Sequence, residues 1–75
     1  MNTTWSEVID GTSIGPTVPV FAEGVLIASV TALWGDEEGV RVSVDYQDGL
    51  EDLSGAQALA LAGALREVAA MEPPA

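Results

Sequence analysis

Carboxylates are the only ionisable side chains here in sufficient number to do chemistry. There are 12 of them against two basic residues, Arg41 and Arg66, with no histidine and no cysteine. They gather at Asp36-Glu37-Glu38 and again along DYQDGLED, Asp45 to Asp52. Paired carboxylates do acid–base work where an apolar pocket raises one pKa. A chain of 75 residues has little material for such a pocket. Its serines and threonines also lack the activating base that nucleophilic catalysis requires. The expectation is therefore no enzyme, no catalytic residue and no cofactor.

Cation binding is the second chemistry open to carboxylates. An EF-hand loop alternates oxygen ligands, then places a glycine, then a glutamate six residues on. In DYQDGLED the second ligand is missing and Asp48–Gly49 reads as a turn. A carboxylate cation binder is thus the third-ranked reading, with no metal ligand assigned. The third chemistry is recognition of a basic surface. Trp34 stands beside Asp36, Glu37 and Glu38, and aromatic residues rimmed by charge are enriched at contact sites. These four are the expected partner-contact residues. The plainer reading of the same residues is a solvated tip beside a tryptophan that caps the core.

A formal net charge of −10 bears on partners directly. Neutralising phosphate takes basic side chains, so neither nucleic acid nor an anionic membrane is an expected ligand. The leading expectation is a small acidic protein–protein interaction module facing a basic patch on a larger partner. The alternative is a nucleic-acid mimic that inhibits a DNA-binding protein. By surface scaling, a compact monomer of this size exposes roughly 4,300 Å², or one charge per ~430 Å². Duplex DNA carries about one per ~110 Å², roughly fourfold denser. Mimicry would need the acids on one face, yet the two clusters fall at opposite ends of a strand. The N-terminus lacks the basic and apolar regions of a signal peptide, and no run reaches the ~20 apolar residues of a membrane span. A cytoplasmic location is expected.

Positioning these groups falls to a hairpin. Two runs rich in β-branched residues, about 25–34 and 40–46, flank GDEEG with glycine at each end. Pairing Trp34 with Val40 sets Ala32 against Val42, Val30 against Val44 and Ala28 against Tyr46, all on one face with Leu26. The other face pairs Leu33 with Arg41, Thr31 with Ser43 and Ser29 with Asp45, and has Val25 and Ile27 at its far end. A slip by one residue would mix the two sets. The N-terminal 23 residues read as irregular or edge-strand. TWSEVI is a possible strand, Asp10–Gly11 a turn, and GPTVPVF, with two prolines, an extended or edge segment rather than a central strand.

Beyond Tyr46, two leucines of QDGLEDL are expected to plug the core edge. Ser54 and Gln57 form a capping box for a helix over about 55–71, followed by a short tail at 72–75. A helical wheel places Ala58, Leu61, Ala64, Leu65, Val68 and Met71 on one stripe, suited to the apolar face of the hairpin. The opposite side carries Ala56, Leu59, Gly63, Arg66, Glu67 and Ala70. A small domain without disulfides gains stability from self-association. Gly63 costs a helix roughly 1 kcal/mol relative to alanine unless another backbone approaches it. Leu59, Gly63 and Arg66 are accordingly the expected contacts of a homodimer. The fold class is α+β: one domain with a small, mainly antiparallel sheet and a C-terminal helix on one face.

LSGAQALALAGALREVAAM, Leu53 to Met71, resembles a pattern in small uncharacterised proteins of actinobacteria and their phages. There a strand pair leads into L-S/T-x-x-x-A-x-x-L-A-x-A-L-x-x-A-A. Leu53, Ser54, Ala58, Leu61, Ala62, Ala64, Leu65 and Ala69 match, and Val68 departs. The resemblance covers about a quarter of the chain. It implies a small accessory protein and carries over no functional residue.

Overall fold

Alternating β-branched and small residues build a sheet, and one alanine- and leucine-rich segment covers it. The computed structural model describes residues 5–9 and 11–73. Strands β1 (Ser6–Ile9), β2 (Thr12–Ala22), β3 (Val25–Gly35) and β4 (Gly39–Tyr46) form a four-stranded antiparallel sheet in chain order. Helix α1 (Gly55–Ala69) packs across β2, β3 and β4. The class is the expected α+β, and the β3–β4 register is the expected one at every pair from Ala28↔Tyr46 to Trp34↔Val40, closing at Gly35↔Gly39.

The core is thin. Val20, Ala22, Ile27, Ala28, Val30, Ala32, Leu61 and Val68 are buried, with Val42, Val44, Leu65 and Met71 half-buried against them. Leu50 and Leu53 pack on the same cluster, as the plugging role required. Ala58 corrects the expected stripe: it is exposed, and Ala60 is half-buried in contact with the core. A docked helix is rotated about its axis by the side chains it meets, which a wheel alone does not contain.

A second correction lies in β3. Val20 pairs with Ala28 but Phe21 pairs with Leu26, which leaves Ile27 as an extra residue. Such a bulge shifts the alternation by one. Ile27 and Ala28 are therefore both buried, although they are neighbours in a strand. Leu26 leaves the core face, opposite to expectation, and joins Phe21, which is 57% exposed. Val25, at the strand's end, stays open.

The proline-bearing segment GPTVPVF belongs to β2, which is second in strand order, yet it runs along an edge as expected. The prolines are tolerated because β1 pairs only with Thr12 to Ile14. Beyond Ile14, β2 has β3 on one side and, among the described residues, an open edge on the other. Gly15 and Pro16 lie opposite Ala32 in a bulge. At Pro19 the alternation of backbone groups turns its nitrogen outward. The Gln47 N–H donates to the Ile27 carbonyl at 3.0 Å, so odd-numbered residues of β3 face β4 and even-numbered ones face β2. In β2 this makes Val18 and Val20 bond to β3, while Pro19, opposite Ser29, points away. A missing N–H there breaks nothing. Of the Asp10–Gly11 turn, Asp10 lies outside the described residues; Gly11 has the left-handed φ of 80° that a tight reversal needs.

β2 and β3 are joined by a two-residue hairpin turn, a connection beyond the sequence expectations, closed by the pair Ala22↔Val25. Glu23 and Gly24 both have positive φ, 53° and 79°, as a two-residue type I′ turn requires. Glutamate is a poor occupant, because its Cβ crowds the following carbonyl in left-handed geometry. Glu23→Asn should stabilise the domain by about 0.5–1 kcal/mol, raising Tm by roughly 4–8 °C per kcal/mol in a thermal melt. An unchanged or lower Tm would remove the turn assignment.

At α1 the capping box is complete. The Gln57 N–H donates to Ser54 Oγ at 3.1 Å, and the Ser54 N–H to Gln57 Oε1 at 2.8 Å. The helix ends at Ala69, two residues before the expected boundary, with Ala70 and Met71 donating to Arg66 and Val68 carbonyls. Trp5 then ties the chain's two ends together. Its ring packs on the core, and its indole N–H donates to the Glu72 carbonyl oxygen at 3.1 Å.

Candidate functional site

The hairpin tip is built by its glycines. β3 and β4 stay paired out to Gly35↔Gly39, and the left-handed φ of 78° at Gly39 completes the reversal. Asp36, Glu37 and Glu38 occupy the turn and are exposed. The carboxylates of Asp36 and Glu38 are held close to the sheet. The Asp36 carboxylate lies against the β1–β2 turn, 2.7 Å from where a Cβ on Gly11 would stand, and that of Glu38 folds over Gly35. A side chain at Gly35 would displace Glu38.

Trp34 pairs with Ser13 on β2 and Val40 on β4, on the face that α1 covers. It is half-buried and is not among the side chains packed against the buried core. The structure therefore brings together all four expected contact residues at one end of the sheet: a half-buried indole and three exposed carboxylates. The second acidic group falls elsewhere. Asp45 pairs with Ser29 near the other end of β4, on the face away from the helix, and Asp48, Glu51 and Asp52 follow in the loop to α1. That loop turns at Gly49, φ 84°, with the Leu50 N–H on the Gln47 carbonyl at 3.2 Å. About seven residues of strand separate the two groups, on the order of 23 Å. Among the described residues no three carboxylates converge to hold a metal ion.

The residues expected at a homodimer contact share the open side of α1. Leu59 is 77% exposed, an added Cβ at Gly63 meets nothing within 4 Å, and Arg66 is exposed near the helix C-terminus. One constellation escaped the sequence reading altogether. Gly15 sits where a Cβ would lie 3.1 Å from both the Ala32 Cβ and the Trp5 ring, so the ring rests on a gap in the strand. A glycine inside a strand marks such a close approach, and that was the available signal. The sheet face away from α1 carries Ile14 and Leu33 at one end and Phe21 and Leu26 at the other. Between them Thr17 and Thr31 share a hydroxyl hydrogen bond of 2.9 Å.

No helix among the described residues is long and apolar enough to cross a membrane. No protein-family model, curated protein or solved structure matches the chain.

Proposed function

We propose that this protein is a non-enzymatic interaction module that presents an acidic surface to a basic patch on a larger protein, in a cytoplasmic setting. The observation that carries the reading is where the carboxylates lie. All ten that can be assessed (Glu23, Asp36, Glu37, Glu38, Asp45, Asp48, Glu51, Asp52, Glu67 and Glu72) are exposed. None is committed to a buried network, so their charge is available to a partner. Trp34 beside the tip adds the kind of apolar anchor that charge alone lacks. Separation of the acids into two groups favours a protein partner over nucleic-acid mimicry, which needs a continuous charged face.

The test is capture from an extract of the native source, comparing the wild type with the triple variant Asp36→Asn, Glu37→Gln, Glu38→Gln. The variant should melt within a few degrees of wild type, since exposed positions change stability by about 0.5 kcal/mol or less. A partner retained by the wild type, released by salt and lost with the variant is the expected result. Equal retention by both proteins would end the assignment of the tip. If the captured partner binds duplex DNA and the module competes for it, mimicry replaces the simpler reading.

A further inference from the structure

Among the described residues the sheet has two long open edges, and they are built differently. The β2 edge is blunted by Pro16, by Pro19 with its nitrogen turned outward, and by the bulge at Gly15 and Pro16. Those are devices by which sheets avoid edge-to-edge pairing. The β4 edge carries none of them. It runs without proline from Gly39 to Tyr46, and its pairing to β3 has no register shift over eight consecutive pairs. The bond from Gln47 to Ile27 sets its polarity: Gly39, Arg41, Ser43 and Asp45 bond inward to β3. Val40, Val42, Val44 and Tyr46 therefore direct their N–H and C=O groups outward. A straight, regular strand with four outward-facing residues is a template for another strand.

We propose that β4 pairs antiparallel with β4 of a second copy of this chain about a two-fold axis at Ser43, making one continuous eight-stranded sheet. The choice of a second copy rests on charge. Arg41 and Asp45 lie on the same face of β4, and neither has an opposite charge as its β3 partner. An axis at Ser43 sets Arg41 of each chain directly across from Asp45 of the other, twice by symmetry. It also sets Val42 against Val44 and Val40 against Tyr46. All four outward-facing residues of each strand are thereby matched, for about eight backbone hydrogen bonds. An axis at Val42 would leave Arg41 facing serine, and an axis at Val44 would set Asp45 against Ser43. Only the Ser43 register pairs the charges. Exposed ion pairs add little affinity, so their part is to select the register. The attraction comes from the ladder and from Val42, Val44 and the exposed Tyr46 ring on the helix-bearing face.

This proposal does not depend on the hairpin tip or on the basic partner. It replaces the open side of α1 as the self-association surface. It would also set the tip acids of one chain beside Asp48 of the other, gathering the two acidic groups at each end of the assembly.

Charge reversal tests it by sedimentation at concentrations from about 1 to 500 µM. The wild type should reach twice 7.7 kDa. Arg41→Asp and Asp45→Arg should each raise the dimer Kd roughly tenfold or more, because each puts two like-charged pairs across the axis. The second variant is decisive, since it lowers the net charge from −10 to −8 and would strengthen association if only overall repulsion mattered. The double variant should restore the wild-type Kd. Within one chain the two positions are on the order of 13 Å apart, so rescue has to be intermolecular. Amide exchange on the wild type adds a measurement that needs no variant. The Val42 and Val44 amides should gain protection with concentration while those of Arg41 and Ser43 are protected throughout. A monomer across the whole range would overturn the proposal. So would a dimer indifferent to both reversals, or one abolished by Leu59→Asp with the Val42 and Val44 amides still open.

Discussion

Val68→Asp should leave the chain unfolded at neutral pH, with far-UV circular dichroism of a coil and no thermal transition. Val68 is 0% exposed and belongs to the cluster that holds α1 to the sheet. A core of this size supplies at most a net stability of roughly 3–5 kcal/mol. Burying a carboxylate without a partner costs several kcal/mol, which is the whole of that stability or more. Leu61→Ala is the graded form of the same experiment. It should cost about 2–5 kcal/mol through lost burial and an unfilled cavity. Leu59→Asp, on the same helix but at a position 77% exposed, should change stability by about 0.5 kcal/mol or less. A folded Val68→Asp protein, or equal losses at Leu59 and Leu61, would show that α1 is docked by another face.

Gly15→Val should expel Trp5 from its seat and lower Tm by about 4–8 °C for each kcal/mol lost. The β-carbon alone would come within 3.1 Å of both the Ala32 side chain and the Trp5 ring. The two branches of valine extend further in the same direction. Ala32 is fully buried and cannot yield, so the ring must move. Overpacking of this kind costs roughly 1–3 kcal/mol. The displaced indole would also give up its bond to the Glu72 carbonyl, releasing the chain beyond α1. In a Trp34→Phe background Trp5 is the only tryptophan, and its emission should shift to the red as it meets water. Gly63→Ala is the matched control: its added Cβ meets nothing, so Tm should not fall. An unshifted emission with Gly15→Val would show that Trp5 does not rest on that strand.

How much of this could be read from residues alone follows from how far apart the deciding partners lie. The β3–β4 pairing was legible because valines and alanines alternate with polar residues in both runs, and a slip by one residue would set Arg41, Ser43 and Asp45 against the apolar face of β3. The capping box was legible because Ser54 and Gln57 are three residues apart and satisfy each other's backbone groups. Exposure of Asp36, Glu37 and Glu38 follows from their place in a turn. In these cases the energy that decides the structure is local or periodic, so sequence order carries it.

The rest is decided by partners that order in the chain does not bring together. Ile27 enters the core because Phe21, on another strand, pairs with Leu26 and leaves it as the extra residue. Ala58 faces water and Ala60 the core because the rotation of α1 is set by its contacts with three strands. Trp5 and Glu72 meet across 67 positions of sequence. The free edge of β4 is likewise a property of the sheet's order. Arg41 and Asp45 could be assigned to one face from their spacing, but whether that strand has a neighbour depends on where β1 and β2 add. Local alternation and capping thus determined which elements form and which way their side chains alternate. Only long-range pairing, whose energy depends on contacts between distant segments, decided which edge stays open and which residues it presents.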